Sequence, residues 1–295
     1  MDYLMEYEQW LKAEGKGEKT IIAYLYAVRS LAQWYEERAG DVFNPEEVTA
    51  LDLQDWRSFL QTVKGYSPAT INKQIAAIKT YWAFLTDQEL TEVNPTRKLK
   101  MKRSSVVNLA PRWLSRQEQA KLLHEIEKER RDWKKKRDLA IAQTMLQGGL
   151  RVSEVSALNV EDVDLKHRTM VVVNGKGGKY RIVPMNRELS SAIHNWLNVR
   201  GNTREKALFL SERGCRLTER GIQYQMRNYL DNIGLTDVTV HSLRHSFAKN
   251  LIDAGQSLQI VAQLAGHDSL ETTRRYVTPS EHDLRKAVGS INWDR

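Results

Sequence analysis

One stretch constrains this chain more than any other. Between Asn94-Pro95 and Ala110-Pro111 runs Thr96-Arg-Lys-Leu-Lys-Met-Lys-Arg-Ser-Ser, basic and without helical apolar spacing, while regular periodicity occupies both sides. It divides the chain into a domain over 1–100, a linker over 101–112 and a domain over 113–295. With 295 residues in all, each part is long enough to bury a core of its own. Such a tether is either plainly solvated or suited to lie along phosphates; in the second case Arg97, Lys98, Lys100, Lys102 and Arg103 make the contacts.

The first hundred residues carry apolar positions at three- and four-residue spacing in four blocks, 3–14, 20–38, 53–63 and 69–86, which predicts a small helical bundle. Gly15, Gly17, Gly40 and Ser67-Pro68 mark the breaks, the last as an N-cap with proline at the first helical position. Downstream, Ser115-Arg-Gln-Glu opens a helix to about residue 128, and a second over 134–147 ends at Gly148-Gly149. The period then changes. Residues 169–173 and 181–184 are β-rich runs joined by Asn174-Gly-Lys-Gly-Gly-Lys, the chemistry of a hairpin turn. Helical patterns return over 188–199, 218–232, 241–254, 257–264 and 270–276. The fold class is mainly α, with a mixed second domain that is mostly helical around a small sheet.

The net charge is +8. Residues 1–110 hold 14 Lys/Arg against 15 Asp/Glu, which leaves 31 against 22 for the rest, so the excess lies in the second part and favours a polyanionic partner. Cys215 is the one cysteine, which rules out an intrachain disulfide or a cysteine metal cluster. The acidic, amphipathic amino terminus is unlike a secretory signal, and no apolar run is long enough for a membrane span, so the expectation is a cytoplasmic protein.

Five places put reactive or charged side chains where a periodic segment meets a turn. Arg151 follows the glycine pair at the entry to a helix near Ser153, where it and free backbone N–H groups face an anion, with Glu154 either holding the guanidinium or capping the helix. Lys176 and Lys179 sit on the hairpin tip, within reach of a groove. His241 and Arg244 share a helical face; His241 and His245 have a zinc-helix spacing but lack its glutamate and a third ligand, so His245 reads as a buried, hydrogen-bonded member of the helix. His267 follows a helix-ending glycine, and Tyr276 is one of eleven tyrosines. Taken singly, each has an ordinary structural reading.

Taken in order, Gly-Leu-Arg151-x-Ser-Glu, the hairpin Lys176, His241-x-Leu-Arg244-His245 and Leu-x-Gly-His267-x-x-x-x-Thr-Thr-x-x-Tyr276 resemble the motif set of the tyrosine recombinase (phage integrase) family over about 130 residues. Within it the chain looks most similar to the compact, two-domain Xer-like recombinases. The resemblance implies an amino-terminal SAM-like core-binding domain and a catalytic domain that cleaves and rejoins DNA. Tyr276 would be the nucleophile, forming a 3′-phosphotyrosyl bond and, between two duplexes, a Holliday junction. Arg151 and Arg244 would stabilise the charge, Lys176 would protonate the leaving oxygen, His241 would be the base and His267 would bond the phosphate. It further implies no cofactor or metal, a homotetramer on two duplexes of a double-stranded recombination site, possible accessory DNA-bending proteins, and a bacterial or phage origin. Residues 281–293, with Leu284, Ala287, Val288 and Ile291 at helical spacing, read as a tail docked on a neighbouring protomer or on their own domain. Two other readings share much of this inventory: a noncatalytic DNA-binding protein of the same fold, and a monomeric type IB topoisomerase-like enzyme.

Overall fold

The computed structural model describes residues 3–101, 111–173, 180–266, 270–274, 276 and 288. They fall into two compact units, Met1–Val106 and Val107–Arg295.

Four helices build the first unit: α1 Leu4–Ala13, α2 Glu18–Ala39, α3 Ala50–Thr62 and α4 Pro68–Asp87. Local chemistry sets their ends. Ser67 accepts from the Thr70 N–H and Pro68 opens α4, while α2 stops at Gly40 with φ 76°. Helix α3 begins three residues earlier than its apolar spacing suggests, because Thr49 and Asp52 form a capping box over a first turn whose Leu51 is exposed. Helices α2 and α4 form the main packing pair, and Leu31, Trp56, Ile75, Ile78 and Trp82 are fully buried in the core. Burying each such side chain contributes about 1.5–3 kcal/mol.

The basic stretch begins as part of this unit and not as a tether. A 3₁₀ turn, Pro95–Lys98, is capped by Asn94, and Pro95, Thr96 and Leu99 are buried. Arg57 donates to the Lys100 carbonyl. The turn is too short to show helical periodicity, which is why the sequence there looks unstructured. Arg97, Lys98 and Lys100 keep exposed side chains. Lys102 and Arg103 lie outside the described residues.

The second unit contains α5 Arg116–Glu127, α6 Asp132–Leu146, α7 Val152–Ala157, the strands β1 Val163–Asp164, β2 Thr169–Val173 and β3 Tyr180–Pro184, then α8 Arg187–Arg200, α9 Glu219–Asn232, α10 Val240–Asp253, α11 Leu258–Ala265 and α12 Leu270–Arg274. Helix α6 is the hub: Ala140, Ile141 and Met145 are fully buried, and α5, α8, α9 and α10 all pack on it. The sheet is antiparallel in the order β1-β2-β3. The two-residue β1 is too short to carry a readable alternation in sequence. In β2 and β3, Met170 pairs with Val183 and Val172 with Arg181. Met170, Val172 and Val183 face the core, so the pleat turns Arg181 inward with them. Among the described residues no helix is long and apolar enough to cross a membrane.

Candidate functional site

The chain reverses between α6 and α7 through Gly148-Gly149. Gly149 has φ +67°, and a Cβ there would run into the Phe247 ring of α10, so only glycine lets the turn pass beneath that helix. The turn delivers Arg151 as the N-cap residue of α7. The helix start is closed, however: Glu154 accepts from the Arg151 backbone N–H at 2.8 Å and from its Nη1 at 2.9 Å. Glu154 thus both caps the helix and holds the guanidinium, and that N–H is not free for an anion.

Three arginines from three separate elements converge on Glu154. Besides Arg151, Arg181 from β3 forks its carboxylate through Nη1 and Nη2, both at 2.9 Å, and Arg244 from α10 stands 3.7 Å away. The same three divide successive carbonyls at the end of α11. Arg181 Nε donates to Leu264 at 3.3 Å, Arg244 Nη2 to Ala265, and Arg151 Nη2 to Gly266 at 2.8 Å. These carbonyls have no partner inside the helix and carry its partial negative charge, which suits cations. Arg244 also donates to the Gly149 carbonyl at 2.6 Å, which ties α10 to the glycine turn.

The electrostatics follow from this crowding. Burial alone would raise the Glu154 carboxyl, but hydrogen bonds from Arg181 and the Arg151 N–H, with the nearby charges of Arg181 and Arg244, hold it at about 2. Burial and then the neighbouring Arg151 lower Arg244 to about 10, so its guanidinium stays charged at neutral pH. His241 is exposed at the surface, yet partial desolvation by the protein around its ring and the charges of Arg244 and Arg151 lower its pKa from the ordinary 6.5, leaving it neutral at pH 7.

Tyr276 lies two residues beyond the end of α12, its N–H donating to the Thr273 carbonyl, and is 3% exposed against Ala248 and Val261. Its hydroxyl is 2.6 Å from Nδ1 of His245, not of His241. The His241 and His245 rings meet edge to face at 4.5 Å between centroids, so His245 stands between the tyrosine and His241 on the helix. Arg151, His241, Arg244 and Tyr276 are therefore brought to one locality around α10. Lys176, Lys179 and His267 lie outside the described residues.

Sequence reading missed Arg181 and the His245–Tyr276 contact. An inward arginine could have been suspected from the alternation Tyr180-Arg-Ile-Val-Pro, which puts a charge on the Val183 face. It also missed a largely apolar groove in the first unit between the N-terminal parts of α2 and α4, where Ile22, Ala23, Tyr24 and Tyr26 line it together with Lys19, Thr20, Thr70, Lys73 and Gln74. Lys19 and Lys73 give this largely apolar groove two cations suited to a phosphate backbone.

Residues 112–283 match the Phage integrase family, and residues 4–92 match the Phage integrase, N-terminal SAM-like domain. A tyrosine recombinase XerA of Thermococcus kodakarensis is 33% identical over 97% of this chain and 94% of its own length. A tyrosine recombinase XerC of Roseiflexus castenholzii is 32% identical over 88% of this chain and 82% of its own. Among solved structures, XerA recombinase superposes with a TM-score of 0.54 at 26% identity, covering all of both chains. XerH bound to palindromic difH substrate superposes at 0.76 with 24% identity, covering 95% of this chain and 82% of that one.

Proposed function

This chain belongs to the phage integrase family and is a tyrosine recombinase that acts in site-specific DNA recombination, and on that footing we propose which of its residues carry the reaction. The observation that supports the assignment best is the convergence of Arg151 and Arg244 on Glu154, with the Tyr276 hydroxyl held from the same helix as Arg244.

The Tyr276 oxygen attacks a DNA phosphorus, forming a 3′-phosphotyrosyl bond as the bond to the 5′-oxygen breaks. Negative charge gathers on the nonbridging oxygens, and two guanidiniums stabilise it through bidentate hydrogen bonds. A phenol with an ordinary pKa near 10 must shed its proton to attack. His245 Nδ1 already lies at hydrogen-bond distance, and the neutral ring of His241 beside it is the second proton acceptor within the cluster. The leaving 5′-oxygen takes a proton from Lys176, and His267 bonds the phosphate. A 5′-hydroxyl from a partner duplex then reverses the step, so the phosphodiester is remade without an external energy source.

DNA lies on the α2/α4 groove of the first unit and on Arg97, Lys98 and Lys100. Two duplexes, each cut on both strands, require four protomers. A nicked suicide duplex built on the fragment that this protein retains from sheared genomic DNA tests the assignment. The wild type is expected to leave a covalent adduct in denaturing gels and Tyr276→Phe none. An adduct that survives in Tyr276→Phe moves the nucleophile elsewhere.

A further inference from the structure

Arg181 has no part in the phosphoryl transfer described above, yet it makes the firmest contact in the cluster. Three guanidiniums surround a single carboxylate, and which of them Glu154 neutralises decides how much positive charge is left for a phosphate. Arg181 takes both oxygens at 2.9 Å, while Arg244 Nη1 is left 3.7 Å from the nearer one, beyond hydrogen-bond distance. The β3 register aims Arg181 at this place, and Gly266 makes room for it: a Cβ on Gly266 would stand 2.8 Å from Arg181 Nη1.

We propose that Arg181 is a positioning residue for phosphoryl transfer, saturating Glu154 so that the charge of Arg244 stays available to the scissile phosphate. The inference rests on Arg151 and Arg244 being the phosphate-stabilising pair. Without Arg181, Glu154 has only a short way to move to close on Arg244, and in so buried a place a direct ion pair would cancel much of the field at the phosphate. Lysine at 181 keeps a charge but cannot fork both oxygens or hold the Leu264 carbonyl at once, so it restores the arrangement only in part.

The test compares adduct formation under single-turnover, saturating conditions on the suicide duplex and on the same duplex with a methylphosphonate at the mapped scissile position. Methylphosphonate carries one negative charge fewer into the transition state and so depends less on arginine charge. On phosphate, Arg181→Met is expected to be about 10²-fold slower than wild type and Arg181→Lys about tenfold. On methylphosphonate both are expected within about threefold of wild type. Equal slowing on both substrates would mean that Arg181 merely supports the fold, and no slowing on phosphate would likewise overturn the inference. Arg244→Ala, run in parallel, separates the two layers. Relief by methylphosphonate in Arg244→Ala but not in Arg181→Met sinks the inference alone; no relief in either sinks the reading of the arginine pair with it.

Discussion

Glu154 is 7% exposed among three guanidiniums and ties together α7, β3 and α10. Replacing it with glutamine leaves Arg181 and Arg244 buried without their counter-charge, which costs about 3–5 kcal/mol. Urea unfolding of Glu154→Gln at pH 7 is expected to show that loss. The pH dependence has a definite sign. The carboxyl goes from an ordinary 4.5 to about 2 on folding, so its contribution is fully present above 4.5 and is lost as pH falls from there through about 2. The stability gap between wild type and variant should therefore be flat above pH 5 and narrow below it. A gap that persists unchanged at pH 3 would mean that the charge is not what Glu154 supplies. At the same scale, motif order singled out Arg151, His241, Arg244 and Tyr276. The choice between His241 and His245 as the tyrosine's neighbour was out of reach, because both lie on α10 one turn apart and the answer depends on where a segment 31 residues later comes to rest.

Among the elements, those with strong local signals were legible: the capped start of α4, the capping box of α5 and the β-rich run of β2 all follow from side chains within four residues. Elements without such a signal were not. The two-residue β1 owes its form to the neighbouring strand, and the 3₁₀ turn Pro95–Lys98, though opened by an Asn94-Pro95 cap, is too short to show a helical period. The turn between α6 and α7 joins both kinds of information, since glycine there was plain in the sequence but the ring that demands it was not. Gly149→Ala meets two penalties, a left-handed φ of +67° and the Phe247 ring, whereas Gly255→Ala meets only the first, with φ +79° and nothing within 4 Å. Thermal or urea unfolding should find Gly149→Ala less stable than Gly255→Ala by about 1–3 kcal/mol, the range for overfilling a packed site. Because Arg151 follows two residues later, the same variant should slow cleavage. Equal losses in the two variants would show that the ring gives way freely.

Across the whole molecule, the charge balance pointed a polyanion to the second part of the chain and drew no attention to the surface of the first unit proposed above for DNA. Residues 1–110 are close to neutral, yet α2 and α4 gather Lys19 and Lys73 into one groove. Lys19→Ala and Lys73→Ala should each weaken binding to the suicide duplex and lower the slope of log K against log salt by about 0.9. The rate of adduct formation from the bound complex should stay at the wild-type value. An unchanged salt slope would place the DNA elsewhere. The sequence by itself determined the helix periods and the family, because periodicity, capping and motif spacing are written in residues near one another. Only the tertiary structure decided that Arg181 shares Glu154 with two other arginines, 27 residues from its carboxylate partner, and that Tyr276 rests on His245. Those contacts depend on how separate elements pack, and a side chain's charge says nothing of its partner until the packing has chosen one.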